Sequence, residues 1–168
     1  MKAHITNLKG GILMENRLEI LRVEMDKLIM ASRHPRAYFS HLYCVSHFCT
    51  LLALRRNLNA ELAATSGMLH DIANVKGNGG DNHVLKGAEE AEALLKTINL
   101  YNDEEIKTII TAISRHSDKH AIHEPFDELL KDADVMSHCL YNHDFPVQDF
   151  EIARYKSILL ELGCSPAE

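Results

Sequence analysis

The stretch Leu62-Ala63-Ala64-Thr65-Ser66-Gly67-Met68-Leu69 is small and apolar, and it runs directly into His70-Asp71. Such a composition suits a helix packed on all sides. A histidine and a carboxylate at the inner end of a buried helix cost free energy unless they are paired or bound to a metal. Adjacent helical residues point about 100° apart. At a helix end the backbone loosens, and both side chains can then turn toward one cation. A neutral imidazole and a carboxylate together suit a divalent first-row metal.

Outward from this segment the apolar spacing is helical almost throughout. Leu18, Leu21, Met25 and Leu28 form the stripe of a first helix over residues 12–31, ended by Arg33-His34-Pro35, because the residue before proline disfavours helical backbone. A second helix is predicted from Ala37 to Arg56, and a third from Ala60 to Asp71, broken by Asn78-Gly79-Gly80. Asp81 or Asn82 caps a fourth, which carries Val84, Ala88, Ala91, Leu95 and Ile98. Asn102 with Glu105 forms a capping box for a fifth. A sixth begins near Pro125, and a seventh has Pro146 in its first turn and closes at Gly163. No useful period-2 alternation occurs. The expected fold is all-α, a compact single domain of six to seven helices spanning residues 1–168.

A doublet alone does not make a tight metal site. His41, near the start of the second helix, and Asp134, in Lys131-Asp132-Ala133-Asp134, both project from elements whose stripes face the core. Convergence of histidines and aspartates from separate helices is a known way to build a metal centre inside a bundle. Taken singly, each of the four reads as a buried group satisfied by hydrogen bonds. Taken together they point to a cation, because several such groups without one are costly to bury.

In this order, His41, then Met68-Leu69-His70-Asp71, then Lys131-Asp132-Ala133-Asp134, the sequence resembles the HD superfamily of metal-dependent phosphohydrolases over residues 36–135. The resemblance implies a divalent ion (Mn, Fe, Co, Ni, Zn or Mg) held by His41, His70, Asp71 and Asp134. It implies Asp71 as the pivotal catalytic residue. It also implies His83 and His116 as ligands of a second ion or of a substrate phosphate. The implied reaction is hydrolysis of a phosphate ester or anhydride of a small molecule, with nucleotides the foremost class. Lys76, Lys86, Arg115 and Lys119 are candidate phosphate clamps. Many relatives follow the doublet with Ile-Gly and a lysine. This chain has Ile72-Ala73-Asn74, with the lysine displaced to Lys76. That departure sustains a second reading, a metal- or nucleotide-binding module with weak or no turnover. A helical interaction protein without metal is a third.

Other residues set bounds. A net charge of −6 argues against a general nucleic-acid binder. No apolar run approaches the roughly 20 residues that cross a bilayer, and Met1–Gly11 does not read as a signal peptide. Cys44, Cys49, Cys139 and Cys164 form no C-x-x-C pair of the zinc-knuckle or thioredoxin type, and without an export signal a cytoplasmic protein with reduced thiols is expected. A homo-oligomer is left open. Of the eleven histidines, His143 with Asp144 is a second doublet lacking the helix and partner acids of the first, His138 shares a face with Asp134 and is placed at the pocket, and His47 is expected in the core. Asp132 is expected to face solvent or to support the site from behind.

Overall fold

Asn59 starts the helix that matters most: its side-chain oxygen accepts from the backbone N–H groups of Glu61 and Leu62, both at 3.1 Å. The computed structural model describes residues 16–141 and 146–164. Among these the chain forms eight α-helices: α1 (Arg17–Ala31), α2 (Pro35–Arg55), α3 (Ala60–Leu69), α4 (Ile72–Val75), α5 (His83–Ile98), α6 (Asp103–Arg115), α7 (Pro125–Tyr141) and α8 (Asp149–Glu161). A 3-10 turn, Gly80–Asn82, leads into α5. No strand occurs among the described residues, and the domain is all-α as expected. His143-Asp144 and Met1–Gly11 lie outside the described residues.

α3 is the central post. It packs on α1, α2, α6 and α7, and every residue from Leu62 to Leu69 is buried. Its polar members are satisfied locally: the Thr65 hydroxyl donates to the Glu61 carbonyl and the Ser66 hydroxyl to the Leu62 carbonyl, both at 2.9 Å. Across the interface, the Ser46 hydroxyl of α2 donates to the Ala64 carbonyl at 2.9 Å. Gly67 allows the two helices to touch. A Cβ there would sit 2.8 Å from Ser46 Cα and 2.9 Å from Ser46 N.

α7 is the second buried post, with Leu129 through Ser137 buried without interruption. Asp132 is therefore buried, not solvent-facing. Its carboxylate takes Arg154 at 2.6 Å and Arg56 at 2.7 Å, tying α7 to α8 and α2. His47, expected in the core, is exposed. The inward face of α2 is Leu42, Val45, Cys49, Leu52 and Ala53, and His47 points away from it. By length and composition α2 is also apolar enough to cross a bilayer, contrary to the sequence expectation, yet its apolar inward face packs on α3 and α7 in the core.

The Asn102–Glu105 capping box of α6 forms, with both reciprocal bonds at 2.9 Å. α8 starts later than expected: Pro146 through Gln148 are non-helical, and Gln148, in extended conformation, immediately precedes a helix that begins at Asp149. It ends as predicted at Gly163, whose φ of 75° lets Cys164 N–H return to the Leu159 carbonyl.

Candidate metal centre

His41 comes from the second turn of α2, Asp134 from the middle of α7, and the doublet from a corner. α3 stops at Leu69. His70 keeps helical dihedrals, while Asp71 (φ −111°, ψ 21°) leaves them and starts α4. The loosening at that corner lets both side chains face the same point. His41 Nε2 lies 3.0 Å from His70 Nε2, 3.5 Å from Asp134 Oδ1 and 3.9 Å from Asp71 Oδ2. His70 Nε2 lies 3.7 Å from Asp134 Oδ1 and 3.9 Å from Asp71 Oδ2. The structure thus brings all four candidate ligands together.

The outer edges of the rings explain why they point inward. His70 Nδ1 donates to the Gly67 carbonyl at 2.8 Å, and His116 Nδ1 donates to the Ile113 carbonyl at 2.8 Å. A carbonyl only accepts, so each neutral ring carries its proton on Nδ1 and presents a lone pair at Nε2. His41 Nδ1 meets the Ser137 hydroxyl at 3.1 Å, which either donates or accepts. Metal-binding histidines are held in this way by groups behind them.

Asp134 supplies the test of fit. Its Oδ1 is buried and has no hydrogen-bond partner, although it stands within 3.7 Å of imidazole nitrogens from His41, His70 and His138. A buried anionic oxygen without a hydrogen-bond partner, beside a His70 Nε2 that carries a lone pair, is satisfied by a positive centre placed between them. Two imidazoles and two carboxylates have the donor chemistry of a first-row divalent ion. The residues fit the group.

Electrostatics agree. Burial, then the neighbouring His70, pushes the His41 imidazole down to about 4, and the same causes push His116 down to about 4. Burial also lowers His70. For Asp134 burial works against ionisation, but the Lys119 ammonium 2.7 Å from Oδ2 holds the carboxyl well below its ordinary range. His41, His70 and Asp134 are therefore in the protonation states that suit a metal at neutral pH. A consequence follows for the metal-free protein. Unfolded histidines titrate near about 6.5, so between that value and about 4 the unfolded chain binds more protons than the folded one. Stability is full above that window and is lost as pH falls through it. Thermal melts of metal-free protein are expected to drop steadily from about pH 7 to about pH 5; a flat profile would contradict the burial of neutral imidazoles.

Asp71 also belongs to a second group. Its Oδ1 accepts from the Asn74 amide at 2.8 Å and lies 3.9 Å from His116 Nε2. His83 Nε2 reaches the Ser117 hydroxyl at 2.9 Å, and that hydroxyl reaches His116 Nε2 at 3.2 Å. Asp71, His83 and His116 are close enough to share an ion.

The basic residues are placed differently. Lys119 reaches the centre, but through Asp134 and the His116 carbonyl, at 2.7 and 2.8 Å. Lys76 pairs with Glu90, Lys86 donates to the Asn78 carbonyl at 2.8 Å, and Arg115 pairs with Asp127 at 2.7 Å. Among the described residues no ion pair joins these three to the histidine–aspartate cluster. In this structure their cationic groups are engaged by intramolecular partners, two acids and a carbonyl, which sequence reasoning, counting charge alone, could not assign. Sequence reasoning also missed Asn74, Ser117, Ser137 and Glu151. Asn74 had a signal, three residues after Asp71 across one turn; the others support the site from distant elements.

The HD domain family matches residues 38–139, more than half of the 168-residue chain. The chain belongs to the HD-domain family. A crystal structure of a predicted HD superfamily hydrolase from an uncultured Thermotogales bacterium is similar to this HD-domain protein, with a TM-score of 0.57, 21% identity, and coverage of 84% of this chain and 88% of that one. At that identity the likeness speaks for the fold. A comparison with curated proteins finds no match. In this HD-domain protein the centre opens on a cleft of about 290 Å³ lined by Ala37, His41, Ser137, His138 and Tyr141.

Proposed function

We propose that this HD-domain protein is a metal-dependent phosphohydrolase acting on the ester or anhydride of a small phosphorylated molecule, with nucleotides the first class to test. One observation carries the reading: the buried, unpartnered Asp134 Oδ1 ringed by imidazole nitrogens. The similarity to a predicted HD superfamily hydrolase agrees with it. His41, His70, Asp71 and Asp134 would hold the ion. A bound divalent ion supplies charge to polarise a phosphoryl oxygen and makes water a usable nucleophile near neutral pH. The chain's own share is orientation. Gly67 and Ser137 fix the rings of His70 and His41, Asn74 fixes Asp71, and Lys119 keeps Asp134 ionised. His83 and His116 lie where they could receive a phosphate oxygen or a second ion. The cleft is at the small end of ligand pockets, which run from about 300 Å³ upward, and this favours a compact substrate.

One observation favours a second reading, a binding module with little turnover. The side chain bonded to Asp71 is the amide of Asn74, which neither takes nor gives a proton. Release of inorganic phosphate from nucleotides and sugar phosphates with Mn2+, Co2+, Ni2+ or Mg2+ separates the two. Turnover is expected in the wild-type protein, falling at least about a hundredfold in Asp71→Ala, since even residues behind a ligand are worth 10–100-fold. Metal binding without turnover on any of these substrates supports the module instead.

A further inference from the structure

His138 is the histidine nearest the unpartnered oxygen. Its Nε2 lies 3.3 Å from Asp134 Oδ1, closer than His41 at 3.5 Å or His70 at 3.7 Å, yet that oxygen has no hydrogen-bond partner. The contact is therefore one of proximity around a shared point. Behind the ring, Nδ1 meets the buried carboxylate of Glu151, from the first turn of α8, at 3.0 Å. A buried carboxylate spent on the outer nitrogen of an imidazole matches the support given to His70 and His116 by carbonyls and is the usual backing of a metal-binding histidine. The ring also stacks parallel on His41, with centroids 5.3 Å apart and planes 8° apart. His41, Asp134 and His138 can offer ligand atoms close enough to hold one ion.

We propose that His138, held by Glu151, is a fifth protein ligand of the metal, added to His41, His70, Asp71 and Asp134 on the side that faces the cleft. The inference rests on the reading of this cluster as a metal centre. Its side chain is 48% exposed and lines the cleft with Ser137 and Tyr141, so it is the ligand an incoming substrate meets first. The pair also couples the centre to α8.

Co2+ titration of metal-free protein, followed by calorimetry and by visible absorption, tests the proposal without relying on turnover. Wild-type protein is expected to bind Co2+. His138→Ala is expected to bind it at least about tenfold more weakly with altered absorption bands, and Glu151→Gln about tenfold more weakly, the usual loss on removing a group behind a ligand. The metal-free melt of His138→Ala is expected to fall, because the buried Glu151 carboxylate loses its imidazole partner. A second measurement needs no variant: on adding Zn2+ to wild-type protein, the 15N resonance of His138 Nε2 is expected to move together with those of His41 and His70. Wild-type affinity and an unchanged spectrum in His138→Ala, or a His138 Nε2 that stays still while the other two move, overturns the fifth ligand and leaves the four-ligand centre standing. Failure of the wild-type protein to bind either ion overturns both.

Discussion

Asp134→Ala is expected to do two separable things: abolish tight metal binding, and destabilise the metal-free protein by about 3–5 kcal/mol. The first follows from removing the one carboxylate whose oxygen faces three imidazoles. The second follows from Lys119, whose side chain is 5% exposed and whose ammonium sits 2.7 Å from Asp134 Oδ2. Without Asp134 that ammonium is left with the His116 carbonyl and little water. Stranding one member of a buried ion pair costs more than losing the pair. The double variant Asp134→Ala with Lys119→Met is therefore expected to recover much of the stability and none of the metal affinity. Denaturant unfolding of metal-free proteins, paired with metal titration, reads both. Full stability in Asp134→Ala would show that Lys119 finds other partners and that the pair is not what holds this loop to α7.

Gly67→Ala is the second large effect, and two influences of opposite sign meet in it. Alanine in a helix interior is favoured over glycine by about 0.8–1.0 kcal/mol. Against this, the new methyl would stand 2.8 Å from Ser46 Cα, 2.9 Å from Ser46 N and 3.0 Å from Cys49 Sγ. Two of the three are backbone atoms, which cannot rotate away. Overpacking of this kind costs about 1–3 kcal/mol and more when backbone must move, so destabilisation wins. Relief requires α3 to part from α2. That motion separates His70 from His41 and shifts the carbonyl that holds the His70 ring. Metal affinity is expected to fall at least about tenfold, on the scale of lost support behind a ligand. A variant that is as stable as wild type and binds metal equally would mean that the close approach is not required.

What the sequence disclosed about this fold was what is local. The Asn102–Glu105 box, the αL stop at Gly163 and the buried run from Leu62 to Leu69 each depend on residues within one or two turns, and each is present. The start of α8 was not legible, since Pro146 and Asp149 both make acceptable openings and the choice falls to packing. Nor was the inward face of α2. That helix is apolar nearly all round, with Leu51 and Leu54 exposed, so its pattern could not show that His41 turns inward and His47 outward. The four candidate ligands were legible as an ordered set. Their support was not: Glu151 behind His138, Ser137 behind His41 and Ser117 between His83 and His116 are single polar residues without a pattern. The partners of the candidate lysines and arginine were hidden for a related reason. Lys76 and Glu90, or Arg115 and Asp127, sit on different elements, and charge alone does not reveal who neutralises whom.

The claim on which everything else depends is that His41, His70, Asp71 and Asp134 close on one divalent ion. Anomalous scattering at the manganese edge, from crystals of this protein grown with Mn2+, tests it most directly. The account predicts a strong peak between His41 Nε2, His70 Nε2 and the carboxylates of Asp71 and Asp134, about 2.0–2.3 Å from each donor. A peak elsewhere, or none at saturating Mn2+ with the two Nε2 atoms still hydrogen-bonded to each other, would contradict it.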